Sequence, residues 1–202
     1  MTSARSFSTP TTIGLATLAV LGVVAYGYAE YGGWNADGAG AAARYTARFS
    51  FPIFVLAWSA SALATLWPGG WRSVMLRRRR AIGLSFAAAH FVHFAALLIA
   101  VCVFAAQPSA KTIYGGGFTY VLIAAMALTS NDWSVRKLGP RNWKMLHTFG
   151  GLAIAIVFTV SYLGRLDEKP WLAIPALTLL GSAAALKVFV WMKKRAPQRA
   201  VS

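Results

Sequence analysis

Apolar residues run in long stretches separated by short polar ones. The stretches cover roughly 11–29, 49–67, 81–105, 115–130, 143–163 and 171–192. A helix of about 20 apolar residues crosses a hydrocarbon core of about 30 Å. The pattern therefore predicts an all-α, polytopic membrane bundle of six transmembrane helices. The fourth stretch is the shortest, and Gly115, Gly116 and Gly117 weaken its expected start. The first has only Arg5 as a nearby cation and is long for a signal-peptide core, so it reads as a retained helix. The connections are short. Residues 1–202 are expected to form a single transmembrane domain with a short basic cytoplasmic tail at 193–202.

Composition supports lipid as the solvent of these helices. Of 202 residues 57% are hydrophobic and 12% charged, whereas soluble domains carry about 25% charged residues. Mean hydropathy is +0.56. The net charge of +15 would suit nucleic acid in a soluble chain, but here the cations cluster between apolar runs. Arg5, Arg72, Arg77 to Arg80, Arg136, Lys137, Arg141, Lys144, Lys193, Lys194, Arg195 and Arg199 share one expected side, which makes fourteen of the twenty Lys and Arg. Arg44, Arg48, Lys111, Arg165 and Lys169 share the other, and Lys187 falls inside the last span, where it is expected to snorkel. The positive-inside rule then puts both termini in the cytoplasm. Membrane lipid is the expected partner and nucleic acid is not.

Cys102 is the single cysteine. It excludes a disulfide framework and a thiolate metal site, and its apolar run suggests a small buried side chain. The spans hold no convincing carboxylate, which argues against a proton-coupled pump. No GxGxxG follows a strand, so the chain has no nucleotide-binding domain of its own.

What remains is histidine. His90, His93 and His147 are the only three, and all fall within expected spans. An imidazole in hydrocarbon needs partners for its ring nitrogens. One reading is packing histidines bonded to backbone carbonyls. The other is haem, whose iron accepts neutral imidazole while its macrocycle prefers apolar surroundings. His90 and His93 are i,i+3 neighbours on one helix face. Counted from the span starts, His90 is nearer in depth to His147 than His93 is, and depth alone does not choose between them. Arg77 to Arg80 and Arg136 to Lys144 flank the entries of the two histidine helices. They suit haem propionates or a flavin phosphate, or plain anchoring at the membrane surface. Trp143 suits a stacked ring or an interfacial belt. Gly83, Gly150 and Gly151 suit close approach of helices or cofactor, or ordinary small-residue packing.

Three stretches carry a family resemblance. Arg79-Arg80-Ala81-Ile82-Gly83-Leu84 is followed by His93; Thr129-Ser130 leads through Arg136-Lys137-Leu138-Gly139-Pro140-Arg141-Asn142-Trp143 to Leu146-His147; and Arg44 to Ser50 precede the second span. Over residues 40–165 the chain resembles ferric reductase-like transmembrane proteins, most closely the MsrQ (YedZ) type of haem-binding membrane subunit. The resemblance implies a haem b protein of the bacterial inner membrane that passes electrons. A cytosolic flavin reductase or a quinol would supply them, a periplasmic reductase would receive them, and bound flavin (FMN) would take part. It implies His93 and His147 as haem ligands, with Arg79, Arg80, Arg141 and Trp143 as cofactor-binding residues. One departure stands out. The family's further histidine, 13 residues along the fifth span, is replaced by Val160. The expectation is therefore one haem, held by His147 with His93 or His90. An electron-transfer subunit is expected rather than a self-contained enzyme. The alternatives are a haem-free assembly or transport protein and a membrane ferric or cupric reductase.

Overall fold

The computed structural model describes residues 8–195. Arg5, Arg199 and the tail from 196 lie outside the described residues. Within them the chain forms seven helices: α1 (Thr9–Glu30), α2 (Ala36–Leu66), α3 (Gly70–Arg77), α4 (Arg79–Cys102), α5 (Ala110–Leu128), α6 (Asp132–Leu163) and α7 (Pro170–Arg195). Five are long and apolar enough to cross a membrane, and the apolar part of α5, Thr112–Leu128, is shorter. The protein is a polytopic membrane helical bundle.

Helix starts follow the capping residues. Ser8, Asn35, Ser109 and Asn131 each accept a backbone N–H of the following turn, at 3.3, 2.8, 3.3 and 2.7 Å. Such caps satisfy donors that the first turn cannot satisfy itself. They also move three boundaries. The second helix starts at Ala36, not near 49, because its Ala- and Gly-rich first half packs in the interior; Ala39, Ala41 and Ala42 are fully buried. Ser109 starts α5 before the three glycines, which lie inside the helix. Asn131 starts α6 eleven residues ahead of the expected span. Gly139, at φ 75° and ψ 150°, breaks that helix before Pro140. Few residues other than glycine adopt this conformation, so 132–138 forms a segment distinct from the span. The short helix α3 was not expected.

Helices α2 and α4 run antiparallel and form the central pair. Thr46 meets His93, Ser50 meets His90, and Phe54 meets Phe86. Small residues let these helices close up, as membrane packing favours: Ala42 and Ala43 lie in one buried cluster with Ala96. Helix α1 packs against α2 at Gly27, where an added Cβ would lie 2.7 Å from the Ala42 nitrogen. The main core joins α2, α4, α6 and α7 through Phe51, Phe54, Phe86, Ile154, Phe158 and Leu180. Phe51 touches Phe158 and Tyr162, with ring centroids 5.1 and 4.9 Å apart.

The Arg78 guanidinium donates to the Thr12 hydroxyl at 3.3 Å, which sets the start of α1 beside that of α4. Arg80 pairs with Asp132 at 3.0 Å, joining the starts of α4 and α6. This is the basic end of the bundle. Two expectations fail in detail. Cys102 is exposed at the end of α4, because the helix stops there and turns the side chain outward. Lys187 does not reach toward water: its ammonium donates to the Trp58 carbonyl at 3.1 Å and lies 5.0 Å from the centre of that indole ring.

Candidate functional site

The α4 histidines sit in the middle of the bundle. His90 is buried. Its ring packs against Phe86, Tyr120 and Phe158, with centroids 5.1, 5.1 and 5.8 Å away, and against His93 at 5.0 Å. His90 Nδ1 lies 2.9 Å from the Ser50 hydroxyl, and His93 Nδ1 lies 3.2 Å from that of Thr46. The i,i+4 hydroxyls of α2 thus meet the i,i+3 imidazoles of α4. The register of the antiparallel pair makes this match, and neither helix sequence shows it alone. No hydrogen bond to protein is made at Nε2 of either ring among the described residues.

Tyr120 of α5 closes the other side. Its ring lies against His90, Phe94 and, at 6.4 Å, His93. Its hydroxyl is buried and has no hydrogen-bond partner. A buried hydroxyl without a partner costs about 1–3 kcal/mol, and those of Tyr28 and Ser85 share this state. Sequence reasoning missed Tyr120, Ser50 and Thr46. The one signal available was polar residues at helical spacing in otherwise apolar spans.

His147 occupies a different place. It lies on α6 just past the Gly139–Pro140 break, under the Trp143 indole, with centroids 4.1 Å apart. Its Nε2 is 3.4 Å from the Thr129 hydroxyl at the end of α5, and Trp143 donates to the Thr129 carbonyl at 2.9 Å. Trp143 thus stacks on a ring, but the ring is a histidine of the protein. Gly150 and Gly151 allow close packing here: a Cβ on Gly150 would lie 2.6 Å from the Met126 sulfur, and one on Gly151 would lie 3.0 Å from the Trp58 ring. Gly83 has open space around it.

The structure does not bring His147 to the α4 pair. His90 is level with Phe158, eleven residues beyond His147 on α6, or roughly 16 Å along a helix rising 1.5 Å per residue. Arg79 and Arg80 stand at the start of α4. Arg80 is committed to Asp132, and Arg141 is exposed after the break. Val160 is 36% exposed on α6 and supplies no ligand. No group of three or more His, Cys, Asp or Glu gathers among the described residues.

Comparison with known proteins adds one line of likeness. Over 129 residues the chain is 34% identical to a Brucella ovis protein named protein-methionine-sulfoxide reductase heme-binding subunit MsrQ. Proteins of the same name from Brucella canis and Brucella suis match to the same extent. The match covers 60% of this chain and 54% of each relative, so the chain spans about half the length of the curated relatives it matches. No family model and no solved structure matches.

In donor chemistry the residues around the α4 pair suit a haem: two imidazoles stand within an aromatic and apolar wall. A single iron gripped by His147 and an α4 histidine does not fit this spacing.

Proposed function

We propose that the chain is an MsrQ-like membrane subunit that binds haem b and carries electrons within or across a bacterial inner membrane. The observation that carries this reading is a pair of neighbouring imidazoles, deep in an apolar bundle, held through Nδ1 with Nε2 unbonded to protein. The likeness to relatives named for haem binding supports it. Packing histidines would need a partner at each ring nitrogen, and Nε2 of neither ring has a protein partner among the described residues.

When bound, haem supplies a one-electron couple. The chain's own residues do the rest. His93 or His90 offers a neutral nitrogen. Phe86, Phe94, Phe158 and Tyr120 keep water away and hold the local dielectric low, which influences potential. The basic end, with Arg79, Arg80, Arg141 and the Trp143–His147 stack, faces the cytoplasm by the positive-inside rule. There it would meet a cytosolic flavin reductase, or FMN through its phosphate; a quinol is the alternative donor. A periplasmic reductase would be the acceptor. With one haem site among the α4 residues, His147 belongs to the donor side.

The test is the absorption spectrum and extracted haem content of folded protein from haem-replete cells. A Soret band with reduced α and β bands is expected. A colourless, folded preparation rejects the reading. Reduction of added ferric chelate from the outer face would instead favour a metal reductase.

A further inference from the structure

We propose that Thr46 and Ser50 are positioning residues that lock His93 and His90 in the Nδ1–H tautomer, so that both Nε2 lone pairs point away from α2. The reason is proton counting. A hydroxyl has one proton and two acceptor lone pairs. Ser50 donates its proton to the Ala47 carbonyl at 2.9 Å. Thr46 donates its own to the Ala42 carbonyl at 2.7 Å, with that of Ala43 at 3.1 Å. Such back-bonding to the preceding turn is the usual resting state of a helical Ser or Thr in an apolar setting. Each hydroxyl is then left only as an acceptor toward its imidazole. The 2.9 Å hydrogen bond between Ser50 and His90 therefore runs from His90 Nδ1–H to the Ser50 hydroxyl oxygen. The same holds for His93 Nδ1, 3.2 Å from the Thr46 hydroxyl.

A neutral imidazole with its proton fixed on Nδ1 has its basic lone pair on Nε2. Hydrogen bonding at the far nitrogen is how metal-binding histidines are oriented and made more basic. The lock itself depends only on α2 and α4. Its use by iron rests on the haem reading, and the two are separable by experiment.

The full chain, labelled with ¹⁵N-histidine, is placed in lipid nanodiscs and reduced with dithionite so that any low-spin haem is diamagnetic. Its three rings are then read by NMR. Two rings are expected with the proton on Nδ1. Ser50→Ala should move the His90 ring and Thr46→Val the His93 ring, while Ser50→Thr, which keeps the hydroxyl and guards against a folding defect, should leave the pattern in place. Rings protonated on Nε2, or a pattern unmoved by both substitutions in folded protein, would overturn the lock. If haem is present, Ser50→Ala or Thr46→Val should also shift its midpoint potential upward through the ligand that loses its acceptor, and Ser50→Thr should not. A colourless protein with the expected rings would remove the haem reading and keep the lock.

Discussion

His90 and Phe158 face each other across the α4–α6 boundary, with ring centroids 5.8 Å apart. That contact fixes the height of the α4 histidines on α6 and separates them from His147. Haem content should follow the division. His90→Ala/His93→Ala is expected to lower bound haem more than tenfold, while His147→Ala keeps a Soret band of near-normal intensity. Pyridine haemochrome assay of each purified variant measures this. Loss of haem from His147→Ala alone, with the double variant still coloured, would move the iron to the basic end.

Gly27 sets how closely α1 approaches α2. Its missing side chain faces backbone, with Ala42 N at 2.7 Å and Cα at 2.8 Å from an added Cβ, so the neighbour cannot rotate away. Overpacked interiors lose about 1–3 kcal/mol. Gly27→Leu should therefore lower thermal stability in micelles by that order, followed by circular dichroism. Gly22→Leu, with nothing within 4 Å, should be near neutral.

Gly139 holds the break that ends the 132–138 segment. Its φ of 75° with ψ of 150° costs a side-chain-bearing residue about 1–3 kcal/mol. Gly139→Ala should destabilise by that amount. It should also weaken the stack of Trp143 on His147, visible as altered tryptophan fluorescence. An unchanged melting curve would show that the break tolerates a Cβ.

The Arg80–Asp132 bridge joins two helix starts but stands in the open, with side chains 47% and 82% exposed. Exposed pairs contribute about 0–1 kcal/mol. A double-mutant cycle with Arg80→Ala and Asp132→Ala should give a coupling below about 1 kcal/mol, shrinking further at high salt. A larger, salt-insensitive coupling would mean the pair is shielded by lipid headgroups.

The chain's apolar runs determined by themselves that it is a helical membrane bundle, because a stretch of about 20 apolar residues has few other stable solvents. The three histidines were legible as candidates for the same reason: an imidazole is costly in oil unless something uses it. Boundaries were less legible. Asn35, Ser109 and Asn131 mark starts that hydropathy passes over, since a cap is one polar side chain beside small residues. Only tertiary structure decided which polar groups meet. Whether Ser50 reaches His90 depends on the register of two antiparallel helices, the residues being forty apart in sequence, and that register is set by contacts such as Ala42 and Ala43 with Ala96 and Phe54 with Phe86. The height of α6 in the bundle is likewise set by Phe158 packing on Phe51 and Phe54 of α2 and on His90 of α4. Counting from the expected span ends brought His147 too near the pair, because hydropathy reports how long a helix is and not how far it slides past its neighbour.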